Sequence, residues 1–264
     1  MPAAEFASGP LEEAFDAGKR ITLQSHLLSE SGEQSLERMV EFVFQRLGHR
    51  VVGGPIYAAV RELVQNAAKA NMKRVLFEEL EVDPAIESQY AEAMLVFREQ
   101  LIASQLKRFG PRIRELGLFF RVCMDYSSEV VSIAVINDFG LYEPEERRIR
   151  QKFIQAGDID SLVDYFVHFS DSAEGAGMGI AMVKILLQQA GLVPRGFSIF
   201  TVDGNRRTVA RLIVPLTKTY KMPRDRFTER CLELGCRPEE LRAKVHAGEV
   251  SFPIFSDRAL NRPL

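Results

Sequence analysis

Residues 61–72 read RELVQNAAKANM, and the way this stretch folds decides the reading of the rest of the chain. As a helix it carries an inward stripe of Ile56, Val60, Leu63, Val64 and Ala67 and runs to about Met72. It also sets Glu62 and Asn66 one turn apart on a single face. A carboxylate and a carboxamide paired in this way suit a metal-bound polyphosphate, although for an arbitrary Glu and Asn a solvated helix face is the commoner outcome. Two later segments tip the balance. Residues 135–141, VINDFGL, end a hydrophobic strand in Asp138 and turn at Gly140. Residues 174–183, EGAGMGIAMV, gather Gly175, Gly177 and Gly179 around Met178 ahead of a helix, where N–H groups and the helix dipole receive phosphate oxygens.

Outward from these segments, bulk properties narrow the function classes. With 46% hydrophobic and 27% charged residues the chain has the composition of an ordinary globular protein, which argues against disorder and fibrous structure. A net charge of -2 gives no broad footprint for nucleic acid. Cys123, Cys231 and Cys236 form no CxxC pair, and no basic-then-apolar leader opens the chain, so a reduced, cytoplasmic protein is expected. Cys231 and Cys236 with His246 lack the spacing and fourth partner of a zinc site. No apolar run approaches the roughly 20 residues that span a bilayer.

Before the central helix, residues 1–19 read as a loose arm with a helical turn or two around residues 11–15. Residues 20–28 read as a strand, residues 31–33 as a turn, and residues 34–47 as an amphipathic helix. Gly53, Gly54 and Pro55 mark the start of the next helix. Residues 75–80 are either a short strand or a helix end. Residues 83–116 hold a long helix opened by Asp83 and Pro84 and running to about Phe109, a break at Gly110 and Pro111, and room for a second short helix through Leu116. The apolar stripe of the long helix, Ile86, Tyr90, Met94, Phe97, Leu101 and Leu106, has two readings: packing on its own domain, or an interface for a dimer or a partner helix. Residues 118–124 and 130–136 read as a hairpin, as do residues 198–202 and 208–214 around DGNRR. The tail, residues 217–264, predicts helices over 224–234 and 238–246, then an extended segment whose Phe252, Ile254 and Phe255 suit docking onto the body or a neighbour.

The series ELVQNA, then DFG after a strand, then GAGMGI, then Thr208 leading a last strand, resembles the GHKL ATP-binding superfamily of histidine kinases, anti-sigma serine kinases, gyrase B subunits and mismatch-repair ATPases. The resemblance covers residues 20–216 and implies an α+β, two-layer α/β sandwich (the Bergerat-type ATP-binding fold), here with a helical insertion at 83–116 and a C-terminal helical tail. It further implies ATP and Mg2+ as cofactors, Glu62 as general base, Asn66 as metal ligand, Asp138 as the acceptor of the adenine amino group, and Thr208 as its support. Gly140 turns the strand end, Gly175, Gly177, Met178 and Gly179 wrap the triphosphate, and residues 141–174 form the nucleotide lid. The sequence departs from the family at Phe139, where a polar residue is common, and at Tyr142, where a second glycine is usual.

Other readings of the same motifs are weaker. A protein kinase of the DFG type would need an HRD motif and a VAIK-like lysine upstream, and a dinucleotide fold would need a strand directly before the glycines. His26 and His49 lack the context of a phosphoacceptor, so the acceptor is expected on a partner protein. The expectation is therefore a cytoplasmic ATP-dependent kinase of two-component or anti-sigma type. The alternative is an ATP-gated interaction or partner-switching regulator with little turnover, and either could pair as a homodimer through the insertion or tail.

Overall fold

The computed structural model describes residues 8–102, 108–157, 179–255 and 260–263. It is an α+β two-layer sandwich: a five-stranded antiparallel sheet carries helices on one face. In chain order the elements are α1 (Ser8–Asp16), β1 (Ile21–Ser25), α2 (Glu30–Arg46), α3 (Arg50–Glu79), α4 (Glu87–Ile102) and α5 (Phe109–Glu115). There follow β2 (Phe120–Tyr126), β3 (Val130–Asn137), α6 (Glu143–Gly157), α7 (Gly179–Gln189), β4 (Phe197–Val202), β5 (Arg207–Pro215), α8 (Pro223–Glu233) and α9 (Pro238–His246). The strands lie in the order β1-β2-β3-β5-β4, so β3, delivered between two hairpins, is central.

Position in the sheet explains why VVSIAVIN is apolar at every position but Ser132 and Asn137. Side chains alternate between faces along a strand, and every residue of β3 is buried. Val131, Ile133 and Val135 meet α2, α3 and α7, whereas Ala134 and Ile136 meet Cys123, Val209, Phe200 and Val202 on the other face. The C-terminal segment also crosses this outer side, where Phe255 and Leu260 bury against Val130.

The structure differs from expectation in its helices. α2 begins at Glu30, ahead of the expected turn, because the Ser29 hydroxyl accepts the Gly32 N–H at 3.1 Å and caps the helix. α3 runs 30 residues, from Arg50 to Glu79, through Gly53, Gly54 and Pro55 and onward through the ambiguous stretch at 75–80. Pro55 cannot donate to Val51, but Val51 is 91% exposed, so water can serve the carbonyl that the proline leaves. The expected second short helix is α5; it starts at Phe109, so Gly110 and Pro111 lie in its first turn, where proline is tolerated.

α3 takes part in two apolar clusters. Its first half packs with α2, α7 and the sheet. From Met72 onward it packs with Tyr90, Met94 and Phe97 of α4 and with Phe109 and Ile113 of α5. This half of the insertion's stripe is therefore spent on its own domain, while Ile86 remains 46% exposed. Leu106 lies outside the described residues, as does the Leu101 side chain. Among the described residues no helix is long and apolar enough to cross a membrane.

Candidate functional site

Three distant segments meet above the inner face of the sheet. On α3, Asn66 Nδ2 donates to Glu62 Oε1 at 3.4 Å, so the carboxamide presents Oδ1 as its acceptor. Gly179, which opens α7, abuts this pair so closely that a Cβ there would lie 2.6 Å from Glu62 Oε1 and 2.7 Å from Asn66 Nδ2. Only glycine lets the start of α7 approach both side chains. Gly175, Gly177 and Met178, expected beside it, lie outside the described residues, as does 158–174 of the expected lid.

The end of β3 corrects one assignment. Odd-numbered residues of this strand face the helices, so it is Asn137, not Asp138, that lines the cleft. Asn137 Nδ2 donates to Ala67 O at 3.1 Å and to Asn71 Oδ1 at 2.9 Å, and Asn71 in turn donates to His26 O at 3.0 Å. Asp138 projects away from the cleft and pairs with Arg121 at 2.7 Å, with its side chain 32% exposed. The motif-based reading placed the carboxylate in the site; strand alternation assigns that position to its neighbour.

The turn between β4 and β5 holds the loop after β3. Leu141 N donates to Asn205 Oδ1 at 3.1 Å and Asn205 Nδ2 donates back to Leu141 O at 3.0 Å. At Gly140 a Cβ would sit 1.8 Å from the Asn205 carbonyl oxygen, which makes glycine obligatory. The Thr208 hydroxyl donates to Phe139 O at 2.8 Å, and Thr208 lines the cleft as expected.

A latch that the sequence reading missed joins α3 to α6. Arg74 grips Glu145 through two bonds of 3.0 and 2.7 Å and reaches Gly140 O at 2.9 Å, and Lys73 Nζ lies 3.6 Å from the same carboxylate. Phe139 and Tyr142, the two departures from the family pattern, stack on the Arg74 guanidinium at 4.4 and 4.3 Å. Burial alone would push the Glu145 pKa up, but Lys73, Arg74 and the Tyr142 N–H hold it down at about 2.

The resulting cleft has a volume of about 220 Å³. Its charged lining comprises Lys69, Lys73, Arg74, Arg148 and Lys152 against the carboxylates of Glu62 and Glu145, an excess that attracts anions. Its apolar lining includes Leu63, Ala67, Val135, Ile180, Ile199 and Ala210, suited to a flat ring. From Glu62 to Arg74 the cleft follows α3 for roughly 18 Å at 1.5 Å per residue. Among the described residues no group of three or more His, Cys, Asp or Glu side chains could hold a metal. A metal here would thus rely on Asn66, water and ligand oxygens, which is the habit of Mg2+.

The Asn137 assignment has a direct check. Asn137→Ala removes the donor to Asn71 and Ala67 and should cost about 1–3 kcal/mol of stability in chemical denaturation. Asp138→Asn, at a half-exposed ion pair, should cost under about 1 kcal/mol. The reverse order would restore Asp138 to the site.

A protein of Treponema pallidum (strain Nichols), described as uncharacterized, is 24% identical over 205 residues, covering 78% of this chain and 39% of that one. The chain thus spans well under half the length of this relative. No family model and no solved structure matches the chain.

Proposed function

We propose that the cleft binds Mg-ATP and that the protein transfers the γ-phosphoryl group to a partner protein, as a member of the GHKL class. The observation that carries this reading is the direct contact of Gly179 with Glu62 and Asn66, segments more than a hundred residues apart, in a cleft that also contains Thr208. Phosphoryl transfer needs mainly positioning and charge neutralisation. Asn66 Oδ1 is the natural metal ligand, Glu62 the base for an incoming nucleophile, and Asn137 the polar group nearest a base lodged against Val135 and Ala210. Lys69, Lys73, Arg148 and Lys152 supply positive potential for the phosphates. Mg2+, when bound, would neutralise phosphate charge. The cysteines, none of them in a disulfide, accord with a reducing, cytoplasmic setting.

Titration calorimetry with ATP, ADP and GTP, with and without Mg2+, tests the reading. Mg-dependent ATP binding is expected, with its Mg2+ dependence abolished in Asn66→Ala and with turnover, but not binding, lost in Glu62→Gln. Absence of ATP binding at millimolar concentration would remove it. The Arg74 latch favours a second reading, a nucleotide-gated interaction protein with little turnover, because it ties the first turn of α6 to α3 beside the cleft, a contact that a bound nucleotide could make or break. Tight ATP binding without phosphorylation of any partner or hydrolysis would select that version.

A further inference from the structure

The outer face of the sheet holds a second cavity, of about 80 Å³, remote from the cleft lining. Arg20, Asp125, Ser132 and Arg211 lie on its sheet side, and the tail brings Ile254, Phe255, Leu260, Asn261 and Arg262 over them. Arg211 is only 5% exposed, and its Nε has no hydrogen-bond partner among the described residues. Its guanidinium lies 5.1 Å above the Phe200 ring. The nearby carboxylate is already engaged: Asp125 accepts three bonds from Arg20, at 3.1, 3.0 and 2.8 Å, and has Arg262 at 3.9 Å. Among the described residues lining the cavity, Arg20 and Arg262 pair with one carboxylate and Arg211 lies within its field.

A buried cation with an unmade hydrogen bond is costly unless an anion completes it. Burial pushes the Arg211 pKa down, Asp125 opposes this and Arg20 adds to it. At roughly 30 Å³ per water the cavity has space for two or three waters or one compact anion.

We propose that this cavity is a binding site for a small oxyanion, a phosphate, sulfate or carboxylate group, received by Arg211 and Ser132 in the field of Arg20 and Arg262. Arg20 is occupied by Asp125 and by the Pro263 carbonyl, so it contributes charge rather than a free donor. Because Arg262 both lines the cavity and donates to Gly18 O, the anion would sit where the tail meets the start of the sheet. Occupancy would fasten the tail to the body.

Thermal unfolding of the full chain in sodium phosphate, sulfate or acetate, each matched in ionic strength to sodium chloride, tests this. Phosphate or sulfate should raise Tm by about 2–4 °C over chloride at concentrations well above Kd. A similar rise in acetate would extend the site to carboxylates; its absence would restrict it to tetrahedral anions. The rise should vanish in Arg211→Met and persist in Asn66→Ala. Without added anion Arg211→Met should be at least as stable as the parent, since an apolar side chain replaces a buried unpaired charge. No rise over chloride, or an undiminished rise in Arg211→Met, overturns the proposal. If Arg211→Met does not fold, Ser132→Ala replaces it: at least half the rise should be lost, and a full rise overturns the site.

Discussion

Glu145→Ala should lower the unfolding free energy by about 3–5 kcal/mol, the usual cost of removing one partner from a buried ion pair. For a chain of this size that corresponds to a fall in Tm of roughly 10 °C. Arg74 and Lys73 are only 10% and 13% exposed, so the substitution strands two cations in the protein interior. The pairing also gives stability a pH dependence. The folded pKa of Glu145 is held near 2, below its ordinary value of 4.5 in the unfolded chain, so its contribution is complete above about pH 4.5 and is lost as pH falls toward 2. A shift of that size is worth about 3 kcal/mol. Chemical denaturation at pH 6 and pH 3 should show a drop in the parent protein that the Glu145→Ala variant largely lacks. Equal acid sensitivity in both would mean the latch is solvated in solution.

Gly179→Ala should leave the fold intact and yet weaken Mg-ATP binding by about a hundredfold, near 2.7 kcal/mol. The added methyl would lie 2.6 and 2.7 Å from Glu62 Oε1 and Asn66 Nδ2, both tips of flexible side chains that can swing aside at little cost in stability. Those tips are the groups assigned to the base and the metal, so yielding to the methyl displaces both. Gly140→Ala is the counter-case: its methyl meets a backbone oxygen at 1.8 Å, which cannot rotate away, and stability should fall by about 1–3 kcal/mol. Calorimetry and thermal unfolding on the two variants separate the effects. Undiminished affinity in a folded Gly179→Ala variant would mean that the glycine contact has no part in binding.

Much of this architecture could be read from residue patterns. The β-rich runs in residues 118–136 and 198–214, each pair set about a turn, located the four main strands to within about two residues, because β-branched and aromatic residues suit a packed sheet. Helix α9 was readable from Pro238 and its apolar spacing. α3 was cut short because Gly53, Gly54 and Pro55 are strong punctuation locally, and nothing in a linear reading says that neighbouring packing will override them. Glu62, Asn66, Gly179 and Thr208 lie around one cleft as their motifs implied. Asp138 misled because a motif names residues without fixing which face they take; counting outward from Val131, Ile133 and Val135 would have selected Asn137. Glu145 was concealed within EPEERRIRQKF, where charges read as solvated. Its cue is nonetheless present, since Glu145, Ile149, Lys152 and Ala156 form a helical stripe facing inward.

The thirty-residue helix belongs to both apolar clusters, which gives it a mechanical role. Its backbone ladder is a stiff beam about 45 Å long at the standard rise. Glu62 rides on the portion bedded against the sheet, and Arg74 on the portion bedded against α4 and α5. A tilt of the insertion relative to the strands therefore carries Glu62 and Arg74 together past Asn137 and Thr208 of the sheet, so whatever leans on α4 from outside has leverage over how wide the cleft stands.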